Sequence, residues 1–161
     1  MTMFREVENK DLPCHLFGYI IDFEEHNSFY DTTDIYIAAL GDGVAELEIP
    51  ISKMHYNSGG IVHGGVFAGL VDAAMGDALL TKNKTGVTTS LNINYIKSAG
   101  KGDVLKAEAK VIKDGKRMVY CTCNVSNQRE ELLATAQAAF MVIESDFVQW
   151  YATKLRENGY Q

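Results

Sequence analysis

Asp72 stands in the run Val71-Asp72-Ala73-Ala74-Met75, a carboxylate among small apolar residues. Burying a charge is costly unless it is paired or used. Asp72 therefore either makes an ion pair, faces solvent, or works as a nucleophile or general base. Nine residues before it is His63, followed by Gly64 and Gly65, where a helical pattern begins. The first turn of a helix carries N–H groups without partners and a partial positive charge. Glycine lets a ligand approach that backbone closely, and one such donor on a developing oxyanion is worth about 3 kcal/mol of activation free energy. The same two glycines would also serve a tight turn and close packing. Asn57, six residues before His63, has an amide able to hold a water or orient the acid, or it is a turn residue ahead of Ser58-Gly59-Gly60. His63 is expected to fix the loop by hydrogen bonding and to stand near a substrate. His55 and His63 lack HExxH spacing, so no metal is expected.

The elements that position these residues can be read from period and punctuation. From Asp34, Ile35, Ile37 and Ala39 alternate with other residues, and Val44 to Ile49 alternates apolar with acidic. Gly41-Asp42-Gly43 between them supplies the positive φ of a tight hairpin. Val66 to about Lys82 is helical, with Val66, Phe67, Leu70, Val71, Ala74, Ala78 and Leu79 at spacings of three and four. Its Gly69 and Gly76 each cost about 1 kcal/mol, which a closely packed sheet would offset. Asp77, five residues beyond Asp72, is read as structural. Strands are expected over Val87–Ile96, Asp103–Lys113, Arg117–Ser126 and Leu132–Ile143, with Asp114-Gly115 as a two-residue turn. Short helices are expected at about Tyr19–Tyr30 and at Asp146–Asn158, the latter capped by Gly159. A hairpin, one long helix and about four strands joined by short turns make an α+β protein with an antiparallel sheet.

Composition narrows the class. The chain has 161 residues, 47% hydrophobic and 22% charged, which suits one core and one domain. A net charge of −6 makes nucleic acid an unlikely main partner. Cys14, Cys121 and Cys123 are an odd count, fitting reduced thiols. Cys121 and Cys123 alternate on a strand and are expected in the core. Arg5, Glu6, Glu8 and Lys10 leave no apolar signal region near the start. No run approaches the ~18 apolar residues of a membrane span. The expectation is a cytoplasmic protein with no membrane partner.

The stretch from Asn57 through His63-Gly64-Gly65 to Asp72 resembles the hotdog thioesterases of the phenylacetate-type (PaaI-like) family. That pattern places an Asn six residues before His-Gly-Gly and an Asp or Glu nine residues after the His, as here. Val87–Ile96 also looks like that family's next strand, and the likeness runs from roughly Gly41 to Ile143. The resemblance implies a hotdog fold, a sheet wrapped around one long helix, as a single domain over 1–161 with its core at about 34–143. It implies hydrolysis of an acyl- or aryl-CoA thioester to free acid and coenzyme A, without a cofactor. Asp72 would be the nucleophile or general base, and the Gly64 N–H would polarise the carbonyl. Gly65 would border the coenzyme A thioester, and Asn57 would hold water or the acid. Thr88 would supply a hydroxyl beside the acid, unless a slip of register moves that role to Thr89 or Ser90. The acid and the helix start would come from different subunits of a homodimer, two of which form a homotetramer. Lys82, Lys84, Lys97, Lys101 and Arg117 are candidates for the coenzyme A phosphates. Phe67, Met75, Tyr95 and Met118 are candidates for the acyl pocket. Two other functions stand beside this one. A non-catalytic acyl-CoA-binding module would lack the acid, and a hotdog dehydratase or hydratase would pair its acid with a His base.

Overall fold

The computed structural model describes residues 6–158. The elements in order are β1 (Glu8–Lys10), α1 (Cys14–Glu24), α2 (Ser28–Thr33), β2 (Tyr36–Gly41), β3 (Val44–Pro50), a 3-10 turn at Lys53–His55, α3 (Gly64–Leu80), β4 (Thr85–Tyr95), β5 (Val104–Asp114), β6 (Met118–Ser126), β7 (Leu132–Glu144) and α4 (Phe147–Asn158). They build one seven-stranded sheet in the order β1-β2-β3-β5-β6-β7-β4. All pairs are antiparallel except β1 with β2. The sheet is therefore mixed at one edge, where the sequence had suggested a purely antiparallel one. β1 is too short to carry a periodic signal; Lys10 ties it to Glu46 of β3.

Period two on the strands and period three-to-four on α3 meet in one core. Leu47 and Ile49 of β3, Leu105 and Ala107 of β5, and Val119, Cys121 and Val125 of β6 turn inward. They close on Leu70, Val71, Ala74, Met75 and Ala78 of α3. That helix contacts every strand from β2 to β7. A sheet wrapped around one helix is the hotdog arrangement. Burial of each large side chain here contributes about 1.5–3 kcal/mol. Cys121 and Cys123 lie in this core, and burial pushes both thiols up to about 12. They pack as apolar groups and are poor nucleophiles.

The glycines of α3 do something other than admit the sheet. A Cβ at Gly76 would meet nothing within 4 Å, and one at Gly69 would meet Phe29, not a strand. Gly69, Asp72, Ala73 and Gly76 border a cleft that α1 and α2 line on one side and β4 on the other.

Two local expectations are corrected. The region expected as one helix is two, broken at Asn27. Its side chain caps α2 through the Phe29 N–H (3.1 Å) and donates to Glu24 (2.6 Å); Asn favours such caps over helix interiors. The β5–β6 turn spans Gly115 to Arg117, longer than two residues, after a bulge between Val111 and Lys113. α3 starts at Gly64, where the sequence had placed the helix start, and His63 caps it. Phe23 of α1 packs edge-on to Phe147, Trp150 and Tyr151 of α4, which seats the terminal helices on each other. The expected Gly159 cap lies outside the described residues.

Candidate active site

α3 carries the chemistry at two points. At its start, His63 has extended backbone (φ −63°, ψ 137°) and its Nδ1 accepts the Gly65 N–H at 2.8 Å. A Cβ at Gly65 would stand 3.0 Å from that Nδ1, so glycine there keeps the cap intact. With Gly65 committed, the Gly64 N–H has no acceptor among the described residues. It points its partial positive charge outward from the helix start. Tyr95 of β4 covers this turn, its hydroxyl donating to the Gly64 carbonyl at 3.0 Å and its ring edge-on to Phe67.

Asn57 is partly a turn residue. Its Oδ1 accepts the Gly59 N–H at 2.8 Å. Its Nδ2 donates to no acceptor among the described residues. His55 is buried and structural. Its Nδ1 accepts from Ser52 N–H (3.0 Å), and its Nε2 donates to the Thr33 carbonyl (3.0 Å), tying α2 to this loop.

Two turns along α3 lies Asp72, half-buried in a cleft of about 390 Å³. The Thr88 hydroxyl donates to Asp72 Oδ1 at 2.8 Å. Thr88 pairs with Phe140 and Ser90 with Ala139, with a bulge between them, and of the two it is Thr88 whose hydroxyl turns to the acid. Thr89 sits at the intervening bulge and bonds the Ala139 carbonyl at 3.0 Å. Thr88 is thus the hydroxyl at the acid. Replacing it with Val removes one hydrogen bond to a charged group, worth about 1.5–3 kcal/mol. Thr88→Val is expected to lower kcat roughly tenfold with little change in melting temperature, as checked by steady-state kinetics beside a thermal melt.

Asp77 is buried below Asp72 and anchors α2: Tyr30 Oη donates to its Oδ2 at 2.9 Å. Burial, and then the charge of Glu24, push the Asp77 carboxyl well above the usual range; burial raises Glu24 as well. Above the ordinary carboxylate range the folded protein holds a proton that the unfolded chain has released. The stability this confers is complete at low pH and is lost as pH rises toward the raised folded value. Asp77→Asn keeps a neutral side chain, so its melting temperature should fall less than that of the parent as pH rises above the ordinary carboxylate range. A parallel fall in the two proteins would contradict this assignment.

Other candidates fall elsewhere. Lys82 is paired with Asp42 at 2.7 Å, Lys84 with Asp114, and Lys97 with Glu131 at 2.6 Å. Lys101 and Arg117 make no ion pair among the described residues and keep their charge available. Met75 is wholly in the core, and Phe67 is buried. Met118 pairs with Met141 on the outer face. None of the four residues expected to line the acyl pocket borders either cleft beside α3. The residues that do are Phe29 and Tyr30 on one side and Ile49, Met54 and Val66 on the other. Periodicity misses Phe29, Tyr30 and Met54 because α2 and the 3-10 turn are too short to show a face; Ile49 and Val66 show only as strand and helix residues.

The central helix of this hotdog sheet thus carries a carboxylate bonded by a strand hydroxyl and, at its start, an amide without an acceptor among the described residues. The comparisons give the family. The model of the thioesterase superfamily matches residues 59–134. A protein of Saccharolobus solfataricus that carries a provisional esterase name is 30% identical over 139 residues, 84% of this chain and 92% of that protein. Human acyl-coenzyme A thioesterase 13 is 30% identical over 96 residues, 58% of this chain and 69% of that protein. The E. coli PaaI structure superposes with a TM-score of 0.78 at 21% identity, covering 83% of this chain and 96% of that one. The chain belongs to the thioesterase superfamily and is a thioester hydrolase. Among the described residues no helix is long and apolar enough to cross a membrane.

Proposed function

We propose that this protein hydrolyses acyl-CoA thioesters at a site shared by two copies of the chain. The observation that carries the proposal is the separation of its two working parts. Asp72 lies eight residues after Gly64 on one straight helix, roughly 12 Å along its axis at 1.5 Å per residue. A carbonyl held at one chain's Gly64 amide is out of reach of that chain's own Asp72.

β4 supplies the means of joining two copies. It is an edge strand of eleven residues with Val87, Leu91 and Tyr95 exposed. Proteins normally cover such an edge. Antiparallel pairing of β4 with its copy brings Thr88 and Asp72 of one subunit toward the helix start of the other. Two such dimers form the tetramer, with exposed Tyr120 and Met141 on the sheet's outer face as the apolar surface between them.

In this site the thioester oxygen accepts the Gly64 N–H of one subunit. Asp72 of the other either attacks the carbonyl carbon or takes a proton from a water that does; we assign the holding of that water to the Asn57 Nδ2. The carbon–sulfur bond breaks, and the coenzyme A sulfur leaves and takes up a proton. Where Asp72 is the nucleophile, water then hydrolyses the acyl–Asp72 anhydride; on either route the acid is released. Lys101 and Arg117 are the cations we assign to the coenzyme A phosphates. The free thiols Cys14, Cys121 and Cys123 fit a reducing, cytoplasmic setting.

The test is free-thiol release across a panel of acyl-CoA esters, with light scattering on the same sample. Thiol release by a dimer or tetramer is the expected result. An active monomer would refute the shared site. Binding without thiol release would favour a non-catalytic acyl-CoA module or a dehydratase.

A further inference from the structure

Two clefts lie along α3, and one side chain separates them. The first, about 390 Å³, holds Asp72. The second, about 310 Å³, opens at His63 and Gly65 and is walled by Ile35, Ile49, Met54 and Val66. Phe29 borders both. Its ring lies on Gly69, where a Cβ would stand only 2.7 Å from Phe29 Cζ. Gly69 falls between the open amide and the acid on the helix, and glycine is disfavoured in a helix interior. Phe29 is itself 49% exposed, an unusual place to leave an aromatic ring. Each feature is unfavourable alone, and together they set a flat ring against bare helix backbone.

The ring is held firmly although it is exposed. Its own N–H is capped by Asn27 at 3.1 Å. The next residue, Tyr30, is anchored on Asp77, and the Thr33 carbonyl accepts His55 Nε2–H. α2 is thus pinned at its start, middle and end, and Phe29 is a fixed wall.

We infer that Phe29 is the end wall of the acyl-chain cleft and sets the longest acyl chain the enzyme accepts. The inference rests on the thioesterase reading above. A carbonyl held at Gly64 directs its acyl chain into the second, apolar cleft beside Val66. The chain runs along α3 until it meets the Phe29 ring. Beyond the ring lies the space of the first cleft, which opens to the chain once the ring is removed.

The experiment measures kcat/KM by thiol release for butanoyl-, octanoyl- and palmitoyl-CoA with the full chain. Phe29→Ala should raise the long-to-short ratio by at least about tenfold, the discrimination that a few methylenes carry in an apolar pocket. Phe29→Leu, which keeps an apolar side chain for α2, should raise it less. Phe29→Trp and Gly69→Ala, which enlarge or displace the wall, should lower it. Active variants that keep the parent's ratio would overturn the role of Phe29 and leave the thioesterase reading intact. Failure of the parent to release thiol from any of the three would overturn that reading and this inference with it.

Discussion

Asp72→Ala is expected to lower turnover of the preferred acyl-CoA by at least about 100-fold, the scale of losing a general base. Asp72→Asn should lose nearly as much, because its neutral amide neither attacks a carbonyl nor takes a proton from water. The loss should be chemical and not structural. Asp72 is half-buried and makes its one side-chain hydrogen bond with Thr88 among the described residues. The measurement is kcat by thiol release beside thermal melts of the three proteins. Folded Asp72→Ala with near-parent turnover would remove the carboxylate from the mechanism.

The second large effect concerns a single N–H. Gly64→Pro deletes the open amide and little else. Proline is favoured at the first helical position, and His63 already has the extended backbone that a residue before proline requires. Gly64→Ala is the matched control. It adds the same Cβ, which would come within 3.3 Å of the Tyr95 hydroxyl, but keeps the N–H. Relative to Gly64→Ala, Gly64→Pro should lose about 100-fold in kcat, the scale for one oxyanion donor. If the site is shared, each variant supplies what the other lacks. A homodimer of Asp72→Ala is dead, and so is one of Gly64→Pro. A heterodimer holds one intact site, made from the Gly64 amide of the first and the Asp72 carboxylate of the second. Equal mixing after subunit exchange should restore about a quarter of parent activity. No recovery, with heterodimers demonstrated by mass, would place both groups in one chain's site.

Much of this was legible in residue order. The Asp72, His63 and Asn57 spacings located the helix start and the acid, and strict alternation over 44–49 and 105–111 gave strands whose inward faces are those observed. Thr88 was identified with a one-residue uncertainty. Only pairing to β7, with the bulge between Thr88 and Ser90, decided that Thr88 and not a neighbour turns toward the acid. A bulge changes which face a side chain occupies without leaving a mark on composition.

Local pattern determined the strands β2 to β7, the long helix and their core faces, and placed Asp72 and the helix start on α3, because these depend on periods of two and about four residues and on what glycine and histidine do at a helix start. Tertiary structure alone decided what surrounds those groups. α2 folds back so that Phe29 lies on Gly69 and Tyr30 reaches Asp77, forty-seven residues away in sequence. β4, next after α3 in the chain, pairs with β7, the last strand, and is left at the sheet's edge. Such contacts are fixed by the burial of distant side chains against one another, and no short-range period encodes them.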